Sequence, residues 1–241
     1  HKIHTKRNYA KKYLTLSIVC NLMILISFKY LSFIRENILL IFNISLPEIP
    51  IIFQTIPIGI SFYTFQSMSY TIDVYRNQVK PTKNILHFFA YLSMFPQLVA
   101  GPIVRAKDLL PQLKKQKINL KYEDVYEAIK SISRGFFKKV FIADNLASFI
   151  DFNFNSYQDP SSSTWWIVMI CFSLQIYCDF SGYSDIAIGL ARFMGLRFNK
   201  NFNHPYISKS FKEFWSRWHI SLSTWFRDYL YIPLGGNKNK Y

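Results

Sequence analysis

Charged side chains are scarce in this sequence: Asp, Glu, Lys and Arg make up 18% of its 241 residues, against about 25% in an ordinary soluble chain. The shortage is uneven, and the unevenness excludes a simple soluble reading. No charged side chain occurs from 13 to 28, from 49 to 72, from 160 to 178 or, His87 aside, from 84 to 104. A membrane crossing needs roughly 20 mostly apolar residues, and a soluble core would have to hide four such runs. Cysteine is equally sparse. Cys20, Cys171 and Cys178 lie inside apolar runs without CxxC or metal-ligand spacing, so they read as packing thiols and no metal site is expected. Also missing are a GxSxG elbow, a P-loop, HExxH and GxGxxG, the usual marks of hydrolase, nucleotide and zinc-protease chemistry. No cleavable signal peptide is visible.

What the sequence does hold is positive charge and aromatic surface. Lys and Arg number 29 against 14 Asp and Glu, for a formal net charge of +15. These bases sit in short clusters between apolar runs, as cytoplasmic loops require. A nucleic-acid binder collects them on one water-facing surface, so nucleic acid is not an expected partner. The clusters thread the chain. Lys2, Lys6, Arg7, Lys11 and Lys12 place the start inside, and a first span over 13–34 crosses outward with Lys29 snorkelling near its end. The nearly neutral stretch 35–50 suits the outer face. A second span over 51–72 returns to Arg76, Lys80 and Lys83.

The run 84–104 breaks this alternation, because Arg105, Lys107, Lys114, Lys115, Lys117 and Lys121 follow it and both of its flanks read as cytoplasmic. It also contains Pro96, Gln97, Gly101 and Pro102. Proline and glycine disrupt helical hydrogen bonding, and broken backbone at membrane depth survives only against protein or a water-filled cavity. The segment reads as re-entrant, or as two half-helices lining a cavity. A charge-rich helix from Tyr122 to about Ile150 carries Arg134, Lys138 and Lys139; it is either buried in a bundle or half interfacial. The stretch 151–163 has two acids and no bases and reads as external. From Trp165 to about Leu196 the chain returns to Arg192, Arg197, Lys200, Lys209 and Lys212.

Two segments are candidates for chemistry. The first runs through Asp179, Ser181, Tyr183 and Asp185. A carboxylate at membrane depth marks a functional site or pairs with a nearby base to hold the bundle together. Ser184, Ala187, Ala191 and Gly195 form a small-residue stripe on the same helix, which lets helices pack closely in lipid. The second is 214–230. Wound as one helix at roughly 100° per residue, it puts Trp215, Trp218, Leu222, Trp225, Phe226, Tyr229 and Leu230 on one face, with Arg217, Ser221, Thr224 and Asp228 opposite. So amphipathic a helix suits the membrane interface. His219 projects from its apolar face, where a lone histidine is more often a satisfied core residue than a catalyst. His1, His4, His87 and His204 have no motif around them, and His204-Pro205 reads as a structural turn.

The sequence Trp218-His219-Ile220-Ser221-Leu222-Ser223, followed by Phe226-Arg227-Asp228-Tyr229-Leu230-Tyr231-Ile232-Pro233-Leu234-Gly235-Gly236, resembles a signature of bacterial membrane-bound O-acyltransferases. The nearest branch is the alginate O-acetylase type, related to the D-alanyl transfer protein of teichoic acid synthesis. Three upstream stretches resemble the same branch in order: Pro57-Ile58-Gly59-Ile60-Ser61-Phe62 through Asp73-Val74-Tyr75-Arg76, then Phe95-Pro96-Gln97-Leu98-Val99-Ala100-Gly101-Pro102-Ile103, then Tyr177-Cys178-Asp179-Phe180-Ser181-Gly182-Tyr183-Ser184-Asp185. The resemblance implies an all-α, polytopic membrane fold with re-entrant and interfacial helices around a tunnel. Residues 1–241 then form a single membrane domain. With His1 at the start and Gly235 to Tyr241 reading as the middle of a loop, a longer chain extending at both ends is expected.

The resemblance also implies transfer of an acyl group, usually acetyl, from a cytoplasmic donor to a hydroxyl of an extracytoplasmic polysaccharide or cell-wall polymer. Expected partners are membrane lipid, a thioester or acyl-carrier protein as donor, and a polysaccharide-acetylation partner. No permanently bound cofactor is expected, and the location is the bacterial cytoplasmic membrane with the start of this chain inside. Of the two notable family histidines, the first matches His219 in a supporting role. The second, usually regarded as catalytic, is expected beyond Tyr241, so these residues alone are expected to be inactive. Asp179, Ser181, Tyr183, Asp185, Arg217, Ser223, Arg227 and Asp228 are the tunnel or substrate candidates. Two other classes explain intramembrane acids and a broken helix equally well: a transporter or channel subunit, and a membrane scaffold for polysaccharide-modifying enzymes.

Overall fold

In the computed structural model, residues 3, 9–44, 46–98, 101–114, 120–155 and 161–238 are described. His1, Lys2, His4, Lys6, Arg7, Val99, Ala100, Lys115, Lys117, Asn239, Lys240 and Tyr241, which entered the topology and motif readings, lie outside them. The reading of Tyr241 as a point in mid-loop, with a second histidine beyond it, therefore falls outside the described residues as well. All regular structure among the described residues is helical, as expected of an all-α fold. The chain packs as two compact units: residues 1–99 with 105–114, and residues 100–104 with 115–241.

In the first unit, α1 (Ala10–Phe42) is one 33-residue helix, about 50 Å long at 1.5 Å per residue. It runs well beyond the expected 13–34, through a wide π-type turn at Ile26–Tyr30. Lys29 therefore lies mid-helix rather than near the end, and its ammonium donates to Ser61 Oγ at 3.3 Å. Leu16, Met23, Phe33 and Leu40 are exposed on α1, a surface that lipid would cover and water would not favour. Asn43, left-handed at φ 49°, ends the helix, and Arg35 ties down the next loop by donating to the carbonyls of Leu46 and Pro47.

The expected second span over 51–72 is not one helix. A 3-10 turn at Ile51–Phe53 comes first, and α2 (Ile60–Tyr75) begins only after Pro57 and Gly59. Gly59 is left-handed at φ 76°, with the Leu98 carbonyl oxygen 2.7 Å from where a Cβ would lie, so neither conformation nor space admits a side chain there. At 16 residues α2 is about 24 Å long, and it buries Thr64, Gln66, Ser69 and Asp73.

The run 84–104 is broken, as its prolines and glycine require. Helix α3 (Ile85–Leu92) is capped by the Asn84 side chain, which accepts from the Leu86 amide at 2.8 Å. After Ser93 the single turn α4 (Phe95–Leu98) buries Pro96 and Gln97, and the Gln97 amide donates to the Tyr91 carbonyl at 2.8 Å. Helix α5 (Ala106–Leu113) buries Ala106, Leu109 and Leu110.

The second unit is built on two long helices. Helix α6 covers 122–155, with a π-type stretch at Phe137–Ala143. Helix α7 (Ser162–Phe193) has 32 residues, about 48 Å. They meet at glycines: a Cβ on Gly135 would lie 2.6 Å from the Gly182 carbonyl oxygen, and one on Gly182 would lie 2.9 Å from the Gly135 oxygen. Backbones this close are the use of small residues in lipid, where packing rather than hydrophobic gain drives association. The expected stripe is partly right in composition and wrong at its end. Ser184, Ala187 and Ala191 are buried, but Gly195 lies past the helix at φ 70°. There the Leu196 amide donates to the Ala191 carbonyl and the Gly195 amide to that of Arg192, a Schellman ending.

The single interfacial helix expected over 214–230 is two helices. Helix α8 (Phe211–Arg217) is capped by Ser210 Oγ, which accepts from the Glu213 amide. Helix α9 (Ile220–Phe226) continues through a wide turn to Tyr231. Between them Trp218 is extended and His219 left-handed at φ 41°. The break has a backbone cause. The Ile220 amide donates to the Asn201 carbonyl at 2.8 Å, and the Arg217 carbonyl accepts from the Asn203 amide at 2.9 Å. The loop after α7 thus takes bonds that a continuous helix would have made internally.

Candidate functional site

The break between α8 and α9 carries His219 inward. His219 is 9% exposed, its ring packed edge-on against Phe180 of α7 at 4.6 Å and near Phe202 at 6.4 Å. Burial among aromatic rings disfavours the imidazolium and lowers the pKa to about 4, so the ring is neutral at pH 7. Around it, Tyr177, Phe202, Tyr206, Phe214 and Trp218 form a continuous aromatic cluster. Tyr206 Oη donates to the Ser173 carbonyl at 2.5 Å, tying the loop after α7 back to that helix.

The polar floor beneath the ring comes from a residue that composition did not single out. Asn201 is 1% exposed. Its Oδ1 lies 3.2 Å from His219 Nδ1, 3.2 Å from the Ser221 amide nitrogen and 2.9 Å from Ser221 Oγ. Its Nδ2 donates to Ser184 Oγ of α7 at 3.2 Å. Ser221 Oγ in turn accepts from the Ile103 amide at 3.0 Å. Gly101 and Pro102 are buried beside Ile103, so the last residues of the 84–104 run lie against this network. The only sequence signal for Asn201 was the asparagine-rich turn around His204-Pro205, which reads as structural by composition.

The other expected residues fall in separate places. Asp185 is paired: it accepts from Arg134 Nε at 3.0 Å and Lys138 Nζ at 2.8 Å, while its backbone carbonyl accepts from Ser131 Oγ. Asp179 lies 2.6 Å from Lys139 Nζ, and the same lysine sits over the Tyr183 ring at 5.3 Å. Both acids thus join α7 to α6. Ser181 is 1% exposed, and its Oγ has no hydrogen-bond partner among the described residues. Arg217 pairs with Glu213 at 2.8 Å and donates to the Asn203 carbonyl at 3.2 Å. The Lys209 amide, and secondarily Arg217, hold the Glu213 carboxyl below its ordinary pKa. Ser223 Oγ donates to the Trp218 carbonyl, bracing the break. Arg227 and Asp228 pair with each other at 2.7 Å, with the arginine largely exposed.

A cleft of about 340 Å³ opens between α6, α7 and the loop after α7. Arg134, Lys138, Arg192 and Lys200 line it against Glu127 and Asp185, and Asn201 and Ser184 form part of its wall. Asn201 therefore has one side on the cleft and holds His219 on the other. Among the described residues no group of His, Cys, Asp and Glu could hold a metal ion.

Among the described residues, all regular structure is helical, two helices are long and apolar enough to cross a membrane, and a buried histidine lies between two short helices. The chain belongs to the membrane-bound O-acyltransferase family, whose model matches residues 4–241. It is a membrane protein with the all-α fold of that family. It is 46% identical over 230 residues to the probable alginate O-acetylase AlgI of Azotobacter vinelandii, covering 95% of this chain and 46% of that protein. It is 38% identical over 266 residues to the peptidoglycan O-acetyltransferase of Helicobacter pylori, covering 99% and 50%. The teichoic acid D-alanyltransferase of Bacillus subtilis is 31% identical over 176 residues, covering 73% and 45%. The chain thus spans about half the length of the curated relatives it matches.

Proposed function

We propose that the protein carrying these residues is an integral-membrane O-acyltransferase. It moves an acyl group, in the first instance acetyl, from a cytoplasmic donor to hydroxyls of an extracytoplasmic polysaccharide or cell-wall polymer. The observation that carries this reading is family membership over nearly the whole chain, together with relatives named for acyl transfer to alginate, peptidoglycan and teichoic acid. The donor is a thioester, free or on an acyl-carrier protein. The excess of base over acid suits a negatively charged donor by raising its local concentration. The location is the bacterial cytoplasmic membrane, crossed several times, with the basic start of this chain on the cytoplasmic side.

The chemistry is a carbonyl exchange. The acceptor hydroxyl oxygen attacks the thioester carbon, the C–S bond breaks, and the hydroxyl proton passes to a base and on to the departing sulfur. Polar donors stabilise the oxyanion in between. His219 is a supporting residue in this scheme, because a ring kept neutral down to about pH 4 is a weak proton acceptor at pH 7. Asp179, Ser181, Tyr183, Asp185, Arg217, Ser223, Arg227 and Asp228 are the side chains proposed to contact donor or acceptor in the second unit.

The test is genetic and chemical. Deleting the gene should remove base-labile acetyl ester from one surface polymer, and the full-length gene should restore it. An unchanged ester content on every surface polymer would overturn the reading.

A further inference from the structure

The orientation of the His219 ring follows from donor and acceptor counting. The Ser221 amide N–H can only donate, and it points at one terminal atom of the Asn201 side chain at 3.2 Å. That atom must therefore be the carbonyl oxygen, which only accepts. The other terminal atom is then the NH2, which finds Ser184 Oγ as acceptor at 3.2 Å. His219 Nδ1 faces the same carbonyl oxygen at 3.2 Å. Were Nδ1 unprotonated, two lone pairs would face each other in a buried site. The Ser221 hydroxyl does not rescue that arrangement. It has one proton to give, and it lies 2.9 Å from Asn201 Oδ1 but 3.4 Å from Nδ1, so that proton goes to the nearer amide oxygen.

We propose that Asn201 is a positioning residue that fixes His219 as the Nδ1–H tautomer, so that Nε2 is presented as an acceptor for a hydroxyl or amide N–H of the substrate. Three further features favour it. No hydrogen bond reaches Nε2 among the described residues. Phe180 packs edge-on against the ring at 4.6 Å, with Phe202 at 6.4 Å, so turning the ring to exchange its two nitrogens would press it against Phe180. Asn201 is itself locked on both sides, by Ser184 from α7 and by the Ile220 amide on its backbone carbonyl. A neutral tautomer set by the partner of the other nitrogen is how proteins choose which end of a histidine accepts.

The substrate half of this inference rests on the acyltransferase reading; the tautomer half does not. The experiment uses the full-length protein in lipid nanodiscs, labelled with 15N-histidine, with the His219 signals assigned by difference against His219→Asn. The wild type should show protonated Nδ1 and unprotonated Nε2 at pH 7. Asn201→Asp keeps the shape, places a carboxylate on the same N–H, and should yield a doubly protonated ring. Asn201→Leu should release the ring to the Nε2–H form. An Nε2–H ring in the wild type, or an Asn201→Asp spectrum like the wild type's, would overturn the assignment. If Asn201→Leu does not fold, the near-isosteric Asn201→Asp still decides. With acetyl transfer as a second readout, Asn201→Asp should raise KM about tenfold, the loss of one hydrogen-bond acceptor. An unchanged KM with the altered spectrum would overturn the contact at Nε2 while leaving the tautomer standing.

Discussion

Replacing Gly135 with alanine tests the α6–α7 contact on which the second unit rests. The new Cβ would sit 2.6 Å from the Gly182 carbonyl oxygen, 2.6 Å from Ile186 Cγ1 and 2.9 Å from the Ile186 amide nitrogen. Even close C–H···O contacts between packed helices run about 3.3–3.6 Å. Two of the three obstructing atoms are backbone and cannot swing away, so the helices must part by about 0.7 Å or more. Parting them also strains the Ser131 bond to the Asp185 carbonyl and the Arg134 and Lys138 bonds to its carboxylate. Overpacking of this kind costs about 1–3 kcal/mol, and a rigid backbone obstacle belongs at the upper end. Alanine returns about 1 kcal/mol through its higher helix propensity, leaving a net loss of about 2 kcal/mol. For a chain of this size that is a Tm lower by about 4–8 °C, measured by fluorescence-detected size exclusion after heating the detergent-solubilised protein. Ser133→Ala, on the exposed side of the same helix, should leave Tm unchanged. A Gly135→Ala protein melting at or above the wild type would refute the close-contact argument.

Other outcomes follow from the same geometry. Asp185→Asn should lower Tm by leaving Lys138, only 20% exposed, without its counter-charge, a loss of about 2 kcal/mol. Asp185→Leu combined with Lys138→Met should recover most of it, because removing both charges is gentler than stranding one. Stability should fall as pH drops from 6.5 toward 4. His219 is held neutral when folded and titrates near 6.5 when unfolded, so the unfolded chain binds the extra proton across that window. The contribution is about 3 kcal/mol, and the Tm of His219→Asn plotted against pH should be flatter there than that of the wild type. Ser210→Ala removes the cap of α8 and should cost about 1 kcal/mol, read as a lower urea midpoint.

Much of the architecture was legible in the sequence for simple reasons. Long uncharged runs find α1 and α7, because length and apolarity are summed over many residues and one misplaced boundary barely changes the sum. Pro96, Gly101 and Pro102 announce a broken backbone, and the backbone is broken there. The run 51–72 failed as one helix because apolarity hid two breakers, Pro57 and Gly59. The amphipathic wheel over 214–230 failed for a deeper reason. Its period is real on either side of Trp218-His219, but the helix is interrupted by amide bonds to Asn201 and Asn203, residues more than a dozen positions away. Local periodicity carries no information about such partners. Asn201 was missed for the same reason: its importance lies in Ser184, His219 and Ser221 converging on it, and nothing in an asparagine-rich turn reveals that. The family was legible because four separate motifs occur in order, and order is a property of sequence.

The most direct measurement is transfer itself. The full-length protein, reconstituted in proteoliposomes, would be supplied with a radiolabelled acetyl thioester on the basic-loop side and a hydroxylated polysaccharide on the other. The label is predicted to appear on the polymer as a base-labile ester, at a rate that depends on both substrates. Intact, folded protein that leaves the polymer unlabelled while passing solute across the bilayer would contradict the assignment and point to a transporter.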